Sequence, residues 1–294
     1  MILGQLLAPI GFGFHAVVYT DAARAWLDGG NPWSVGPPAV VFAGPPTMLV
    51  VYLPFVPFGV DIIRLSWIAI DVVLAVWALG RLKLPRYWLF FPPLFNAISL
   101  GHPEVLVLAL FAAGGAVSGL AAAIKPYAVI PLIAERRWGA IAVAIAVVVV
   151  SAPFLPWGLF VSQAATISAT IARQNVGDST FGQPLLMIVA AGALLVLGPR
   201  RALWLAVPVL WPDAQPIYKV MTMPVLSPVV ALLWAIPIPG LTLAAVVVEA
   251  ILVVIDRRRG LPPWLKFAIQ PVGSGLPVAT SSVPLRRRAE MVPA

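Results

Sequence analysis

The stretch Trp138-Gly-Ala-Ile-Ala-Val-Ala-Ile-Ala-Val-Val-Val-Val-Ser151 contains no charged residue, and the sequence stays apolar up to residue 157. It lacks the alternation of a β-barrel strand, so it predicts a helix. Similar apolar segments lie at 2–18, 47–60, 62–80, 87–101, 105–124, 126–135, 184–198, 202–211, 221–236 and 241–255. Several are short or broken by Gly and Pro, which predicts about nine to eleven helices, with a tight turn at Gly114-Gly115 inside 105–124.

The composition indicates where these helices are placed. Hydrophobic residues make up 61% and charged residues 10% of the 294 positions, and the mean hydropathy is +0.98. Soluble domains are about 45–50% apolar and about 25% charged. A bilayer removes such a surface from water, and only helices or closed barrels satisfy their backbone there. The sequence therefore predicts an all-α fold, a polytopic transmembrane helical bundle, and argues against a soluble globular enzyme.

Basic residues cluster between the apolar segments and predict the topology. The clusters are Arg81/Lys83/Arg86, Arg136/Arg137, Arg200/Arg201 and Arg257 to Arg259. Lys and Arg concentrate in cytoplasmic loops, so the net charge of +8 is explained without a nucleic-acid partner. Residues 19–46, the turn around His102, and the loops 160–183 and 212–220 then face away from the cytoplasm. This arrangement requires one of the segments 47–60 and 62–80 to be re-entrant or interfacial.

The two ends of the chain and its metal-binding potential are predicted from composition. The start at Met1 lacks a Lys/Arg-rich signal and is interpreted as a first transmembrane helix. A transmembrane domain of residues 1–259 is followed by a Pro-, Gly- and Ser-rich tail, 260–294, which we expect to be disordered. Its arginines at 286–288 suit anionic lipids or a solubilising tail. With no cysteine and two separate histidines, no cofactor is predicted.

The first non-cytoplasmic loop, Tyr19 to Trp33, contains the most informative polar pattern. Asp21, Arg24 and Asp28 are spaced three and four apart, so a helix places them on one face. Gly29-Gly30 is expected to end this helix, and Asn31-Pro32 to begin a turn. An amphipathic helix on the membrane surface, with its tryptophans at the interface, is predicted. It offers either an active-site carboxylate or a solvated face with local ion pairs.

Other polar groups interrupt the apolar runs. His102 and Glu104 suit a phosphate or sugar hydroxyls, or simply a turn. Lys125 lies ten residues from its nearest charged neighbour, Glu135, and suits a lipid-linked phosphate, unless it snorkels to water. Arg173, Gln215 and Tyr218 lie in two further loops on the same predicted face.

Two acidic residues lie inside apolar segments. Asp71 and Glu249 are expected to form hydrogen bonds between helices, with proton or ion coupling as the alternative.

Ordered motifs across residues 11–240 resemble a known family. They are Tyr19 and Asp21-Ala-Ala-Arg-Ala-Trp-Leu-Asp-Gly-Gly-Asn-Pro-Trp33, Gly44-Pro-Pro46, Gly101-His-Pro-Glu104, Gly119-Leu-Ala-Ala-Ala-Ile-Lys-Pro126, Glu135-Arg-Arg-Trp138 and Trp211-Pro-Asp-Ala-Gln215. In this order they resemble GT-C-type glycosyltransferases, specifically the polyprenol-phosphate-mannose-dependent mannosyltransferases of actinobacteria, glycosyltransferase family 87. Each motif is degenerate, and the specificity lies in the ordered set.

The resemblance implies a GT-C-like plasma-membrane hexosyltransferase. It would transfer a hexose, mannose by the resemblance, from a polyprenyl-phosphate-linked donor to a lipid or glycan acceptor on the non-cytoplasmic face. Asp21 would act as the inverting general base. Lys125 and Arg173 would hold the donor phosphate, and substrate-binding roles would fall to His15, Arg24, Asp28, His102, Glu104, Gln215 and Tyr218. Some relatives also need a divalent cation.

One departure from the family pattern leaves alternatives open. Family members commonly carry an aspartate a few residues before the loop tyrosine, near Gly13 to His15, where this chain has no acid. Either Asp21 or His15 takes the role of the base, or the protein is inactive. A transporter or flippase for a lipid or small solute, using Asp71, Lys125 and Glu249, is the alternative function.

Overall fold

A computed structural model describes residues 11–37, 41–174, 178–212 and 214–272, without the side chains of residues 172–174. These residues form helices and no β-strand, which confirms the predicted all-α class. The α-helices are α1 (Phe14–Leu27), α2 (Pro46–Tyr52), α3 (Val60–Arg81), α4 (Pro92–Leu100), α5 (Glu104–Ala113), α6 (Gly119–Ile124), α7 (Val129–Ala134), α8 (Trp138–Ser151), α9 (Trp157–Gln174), α10 (Pro184–Leu197), α11 (Pro199–Leu210), α12 (Pro228–Trp234), α13 (Leu241–Arg259) and α14 (Pro263–Ile269). Six 3-10 helices join them, at Pro32–Ser34, Leu53–Phe55, Arg86–Phe90, Ala116–Ser118, Pro126–Ala128 and Pro216–Val225.

The described helices are more numerous and shorter than the predicted nine to eleven. Glycine and proline divide the apolar segments, because proline cannot donate within a helix and glycine readily reverses the chain. Gly114 and Gly115 both have positive φ and separate α5 from α6, as predicted. The predicted loop 160–183 is wrong over its first half, where α9 continues to Gln174.

The first loop also differs in part from its prediction. Residues 1–10 of the predicted first helix lie outside the described residues, and α1 continues from Phe14 without a break to Leu27. The helix ends before Gly29, and Asn31 caps the following turn, as predicted. Trp33 does not lie at an interface, because its ring is buried against Phe42 and Phe160.

Few described helices are long enough to cross a membrane. α3 is the one helix that is sufficiently long and apolar, and α4 with α5, bent by 113°, is a second broken span or a re-entrant loop. Only 33% of the α3 span is buried, whereas the core helix of a soluble protein is mostly buried. α2, which lies in the neighbouring predicted apolar segment 47–60, ends after seven residues. The polytopic arrangement stays a prediction.

Arginines from three of the four predicted basic clusters meet in a region that we call the basic end. Arg200 Nε donates to Glu135 Oε1 over 2.7 Å, and Arg201 forms an ion pair of 2.5 Å with Glu249. Arg137 donates to the Phe111 carbonyl, and Arg257 to that of Val196. Glu249 therefore joins two helices through an ion pair, but the expected hydrogen bonds of Glu249 and Asp71 are absent, because neither carboxylate has a hydrogen-bond partner among the described residues.

The opposite region, the polar end, is held by Asp178. Its carboxylate accepts from Lys219 Nζ and from the Gly240 amide, each over 3.0 Å, and from the Thr242 hydroxyl. α13 begins beside this carboxylate and ends at the arginines of the basic end. At about 1.5 Å per residue its length is about 28 Å, close to the thickness of a hydrocarbon core.

Large apolar side chains remain exposed on several of the described helices. They include Leu65, Val73 and Trp77 of α3, Ile145 and Val149 of α8, Leu185 and Ile188 of α10, and Ile251 of α13. Monomeric soluble proteins rarely leave extensive apolar patches open to water. Inside, one apolar core surrounds α5 and α11, and a second surrounds α1 and α2.

The predicted disordered tail begins with ordered structure. α14 lies within it, the Ile269 carbonyl accepts from Arg201, and the Val272 amide donates to Leu226 over 2.9 Å. Ordered packing therefore continues past the predicted boundary at residue 260. Residues 273–294, including the terminal arginines, lie outside the described residues.

Gly101 forms the turn between α4 and α5 and is tightly enclosed. Its φ of +65° is a left-handed conformation, and a Cβ there would lie 2.8 Å from Trp67 Cδ1 and 3.1 Å from Ala16 Cβ. The two helices can reverse only because this residue has no side chain.

We expect Gly101→Ala to lower the free energy of unfolding by roughly 1–3 kcal/mol, because it adds backbone strain and a clash. Thermal unfolding of the full chain in detergent measures this loss. Gly139→Ala is the control, since a Cβ there meets nothing within 4 Å. Equal stability of the two variants would contradict the packing at the turn.

Candidate functional site

A polar cluster lies between the two apolar cores of the protein. It consists of His15 and Tyr19 from α1, His102 and Glu104 from the α4–α5 turn, and Lys125 and Tyr127 from the segment after α6. We call these six residues the polar cluster. Four of them, His15, His102, Glu104 and Lys125, belong to the predicted binding residues, so the fold brings together groups up to 110 positions apart.

α1 supplies an aromatic wall. His15 and Tyr19 are four residues apart and share a helix face. The His15 and His102 rings lie 4.8 Å apart, and Tyr19 Oη lies 3.5 Å from His102 Nε2. Tyr19 also packs edge-on against Tyr52, at 5.2 Å between ring centroids. Its hydroxyl is therefore directed toward the histidines.

The turn at Gly101 places a carboxylate at the centre of the cluster. The His102 amide donates to the Ala97 carbonyl over 2.9 Å, and Glu104 is the first residue of α5, where the positive end of the helix dipole favours a negative charge. Glu104 Oε1 accepts a hydrogen bond from the Tyr127 hydroxyl. Lys125 Nζ lies 3.6 Å and His102 Nδ1 lies 3.8 Å from the same oxygen.

Lys125 is buried and directed inward by the proline that follows it. Proline disfavours the helical region for the preceding residue, and Lys125 has an extended backbone with φ −133° and ψ 103°. The side chain therefore does not snorkel to water: the residue is 7% exposed.

Tyr218 joins the cluster from the 3-10 helix Pro216–Val225. Lys125 Nζ lies 5.7 Å from the centroid of its ring, and the Tyr127 and Tyr218 rings are 4.6 Å apart. Trp211 packs edge-on against Tyr127, at 5.7 Å. Aromatic faces next to a cation and a carboxylate suit a sugar and its phosphate.

Several buried polar atoms of this region have no hydrogen-bond partner within the described residues. They are His15 Nδ1, Tyr52 Oη, Trp67 Nε1, His102 Nδ1 and Glu104 Oε2. Most buried polar groups in folded proteins are satisfied, so each exception calls for an explanation. These unsatisfied donors and acceptors mark the region as a candidate binding site.

The polar cluster lies nearer the polar end than the basic end. Along α5, Glu104 is seven residues from Phe111, which contacts the basic end through Arg137, and this spacing is about 10 Å. In the other direction, Tyr218 directly precedes Lys219, the ion-pair partner of Asp178.

The predicted catalytic face of α1 points away from the cluster. At about 100° per residue, Asp21, Arg24 and Asp28 lie about 140–180° around the helix from Tyr19. Asp21 and Arg24 form a half-exposed ion pair, and Arg24 also donates to the Val56 carbonyl. Asp28 is exposed and ends the helix. The shared face is confirmed, and it carries one local ion pair, between Asp21 and Arg24.

The remaining predicted site residues are placed as follows. Arg173 lies in the last turn of α9, and its side chain lies outside the described residues. Gln215 is half-buried before the 3-10 helix, and its carbonyl accepts from the Tyr218 amide over 2.9 Å.

Three contributing residues were missed as site residues. Tyr127 lies two positions after Lys125, Tyr19 four positions after His15, and Tyr52 inside an apolar segment, where its hydroxyl was the only signal. Helical spacing from His15 could have identified Tyr19. Tyr127 and Tyr52 required the tertiary contacts.

No group of three or more His, Cys, Asp or Glu that could hold a metal ion occurs within the described ranges, and a divalent cation stays a prediction. Comparisons with protein-family models, with curated proteins and with solved structures found no match to this chain.

We expect Lys125→Met to lower the free energy of unfolding by about 3–5 kcal/mol, because it leaves the buried Glu104 charge without its cation. The double variant Lys125→Met/Glu104→Gln should recover most of this loss. Thermal or chemical unfolding in detergent measures both values. Lys266→Met is the control, since its ion pair with Asp256 is partly exposed. If the double variant instead lost the sum of the two single losses in free energy of unfolding, Lys125 and Glu104 would not be coupled.

Proposed function

We propose that this chain is a polytopic plasma-membrane glycosyltransferase of the GT-C type. It transfers a hexose, mannose by the resemblance, from a polyprenyl-phosphate-linked donor to a lipid or glycan acceptor on the non-cytoplasmic face. The polar cluster is its active site. One observation carries this proposal: residues of separate resembling motifs lie together in one buried site.

The motifs that meet at the site are far apart in sequence. Tyr19 belongs to the first of the six motifs, His102 and Glu104 to the third, and Lys125 to the fourth; Trp211, from the last, packs on Tyr127. A set of turns selected only for local structure has no reason to converge. The convergence therefore supports a shared site for binding or chemistry.

The membrane part of the proposal rests on surface chemistry. Apolar side chains are exposed on α3, α8, α10 and α13, while charged contacts gather at the basic and polar ends. Such an apolar belt between two polar ends is expected of helices in a bilayer. Because arginines mark the cytoplasmic side, the polar end and the nearby cluster face the other side.

The roles follow from position. His15 is the half-buried member of the cluster from α1, and its Nδ1 has no partner among the described residues, so it takes the role of general base. Asp21, paired with Arg24 on the opposite face, does not. Lys125 binds the donor phosphate, and Glu104 holds Lys125 and Tyr127 in place.

The reaction is a single inverting displacement. The acceptor hydroxyl oxygen attacks the anomeric carbon of the donor while His15 accepts the hydroxyl proton. The bond between the anomeric carbon and the phosphate oxygen breaks, and polyprenyl phosphate leaves. The Lys125 ammonium offsets the charge that develops on the leaving phosphate.

Asp71 favours a second candidate, a transporter for a lipid or small solute. Its carboxylate is fully buried in α3 and has no partner in the described part of the chain. Ionisable residues inside membrane helices often line ion or proton pathways. Asp71→Asn separates the two functions, because it abolishes coupled transport and leaves glycosyl transfer within a few-fold of wild type.

We expect the expressed chain to remain in the membrane pellet after an alkaline carbonate wash and to be released only by detergent, because its exposed apolar helices contact lipid. Fractionation followed by immunoblotting measures this. Release of the chain by carbonate alone would contradict membrane insertion.

We expect membranes containing the wild-type chain to transfer label from radiolabelled polyprenyl-phosphate-mannose, and His15→Ala to lower kcat by about 10²–10⁴-fold, as for loss of a general base. Asp21→Asn is the matched control on the same helix and should retain activity within a few-fold. No transfer by the wild type would contradict the enzyme. Full activity of His15→Ala, or loss in Asp21→Asn, would contradict the assignment of the base.

A further inference from the structure

An apolar groove runs between α10 and α13 on the outside of the protein. It encloses about 380 Å³ and is lined by small and branched side chains, including Gly192, Ala193, Val196, Val247, Ala250 and Ile251. We call it the α10–α13 groove. Gly192 is exposed, and a Cβ added there would meet nothing within 4 Å. The groove is thus open to the surroundings at Gly192.

A second cavity lies at the basic end. It has about 390 Å³ and is lined by Leu197, Gly198, Arg200, Arg201, Val225 and Pro271. We call it the Arg200 cavity. Arg200 reaches Glu135 through Nε, and 59% of its side chain remains exposed. A guanidinium held at one edge can still present its terminal N–H groups to a phosphate.

The groove and the cavity meet at the end of α10. Val196 lines the groove, and the next residue, Leu197, lines the cavity. Arg257 donates to the Val196 carbonyl over 2.9 Å and brings a further cation to the junction. The apolar α10–α13 groove therefore ends at a cluster of arginines. A phospholipid has the same two parts, an apolar acyl chain and an anionic headgroup.

The charge at this end is predominantly positive. Arg136, Arg137, Arg200, Arg201, Arg257, Arg258, Arg259 and Lys266 lie there in sequence or space, against Glu135, Glu249 and Asp256. The acidic residues are paired, so the excess cations favour an anion. Arginine forms forked hydrogen bonds with phosphate.

We propose that the basic end binds one anionic phospholipid, with its phosphate in the Arg200 cavity and an acyl chain in the α10–α13 groove. The site is separate from the polar cluster and does not use the residues assigned to catalysis. It rests on the membrane insertion in the proposed function, but not on glycosyl transfer. Binding would fix α10 against α13 from the cytoplasmic side.

The test is a binding titration of the purified full chain in an uncharged detergent, followed by native mass spectrometry. Phosphatidylglycerol, phosphatidylcholine with the same acyl chains, and inorganic phosphate are compared. We expect phosphatidylglycerol to bind at least about tenfold more tightly than either, because it combines the charge and the chain. Equal binding of the two lipids, or phosphate binding as tight as phosphatidylglycerol, would overturn the proposal.

Two variants locate the site. Gly192→Leu fills the groove and should weaken phosphatidylglycerol binding about tenfold, since the acyl chain is displaced. Arg200→Gln should reduce phosphatidylglycerol binding to the level of phosphatidylcholine. Gly158→Leu, at another open glycine of a helix, is the control and should bind like the wild type.

Every outcome of the variants bears on the proposal. Unchanged phosphatidylglycerol binding by Gly192→Leu or Arg200→Gln would overturn the proposal. A wild-type dimer that Gly192→Leu converts to monomers would also overturn it, because a second copy of the chain would then occupy the groove. If the chain binds phosphatidylglycerol but shows no glycosyl transfer, the lipid site is supported and only the glycosyltransferase proposal is contradicted.

Discussion

The buried carboxylate of Glu104 is the interaction on which the centre of this protein depends. A charge taken out of water is costly unless partners surround it. Here the hydroxyl of Tyr127, the ammonium of Lys125 and the ring of His102 lie around a single oxygen, Oε1. These partners come from two turns, so the carboxylate fixes the ends of α5 and α6 relative to one another. The second oxygen has no partner among the described residues.

Outside this centre, the distribution of charge gives the molecule a direction. Arg200, Arg201 and Arg257 hold one end of α10, α11 and α13, and Asp178 holds the other end of α13 through Gly240 and Thr242 and also pairs with Lys219. Apolar side chains cover the surface between them. In the proposed membrane arrangement, water favours the two ends and lipid favours the surface between them, so the contacts that join the helices would also orient them in a bilayer. The same proposal places the polar cluster beneath the polar end, within reach of a lipid-linked donor.

Much of the fold could be predicted from particular residues, because those residues restrict the backbone locally. Gly114 and Gly115 end one helix and begin another, and Gly29 follows the end of α1. The extension of α9 to Gln174 could not be predicted, since its polar residues, such as Ser162 and Gln163, are as common in loops as in exposed helix faces. Likewise, α14 is too short to give a periodic pattern.

The site was predicted in part for the same reason. His102, Glu104 and Lys125 interrupt apolar runs, so their cost of burial made them visible in the sequence. Asp21, Arg24 and Asp28 were equally visible, but their spacing indicates only that they share a face, not which way that face points. The orientation of α1 is decided by the packing of Ala16, Ala22 and Ala23 against the second apolar core, which is a tertiary property.

The central claim, that a lipid-linked sugar donor binds at the polar cluster, is tested most directly by photo-crosslinking. A polyprenyl phosphate with a photoreactive group beside the phosphate is activated in membranes containing the full chain, and the labelled residues are identified by mass spectrometry. The account predicts labels at the Gly101–Glu104 turn and at Lys125 to Tyr127, suppressed by excess polyprenyl-phosphate-mannose. Labels confined to the α10–α13 groove or to the face of Asp21 and Arg24 would contradict it.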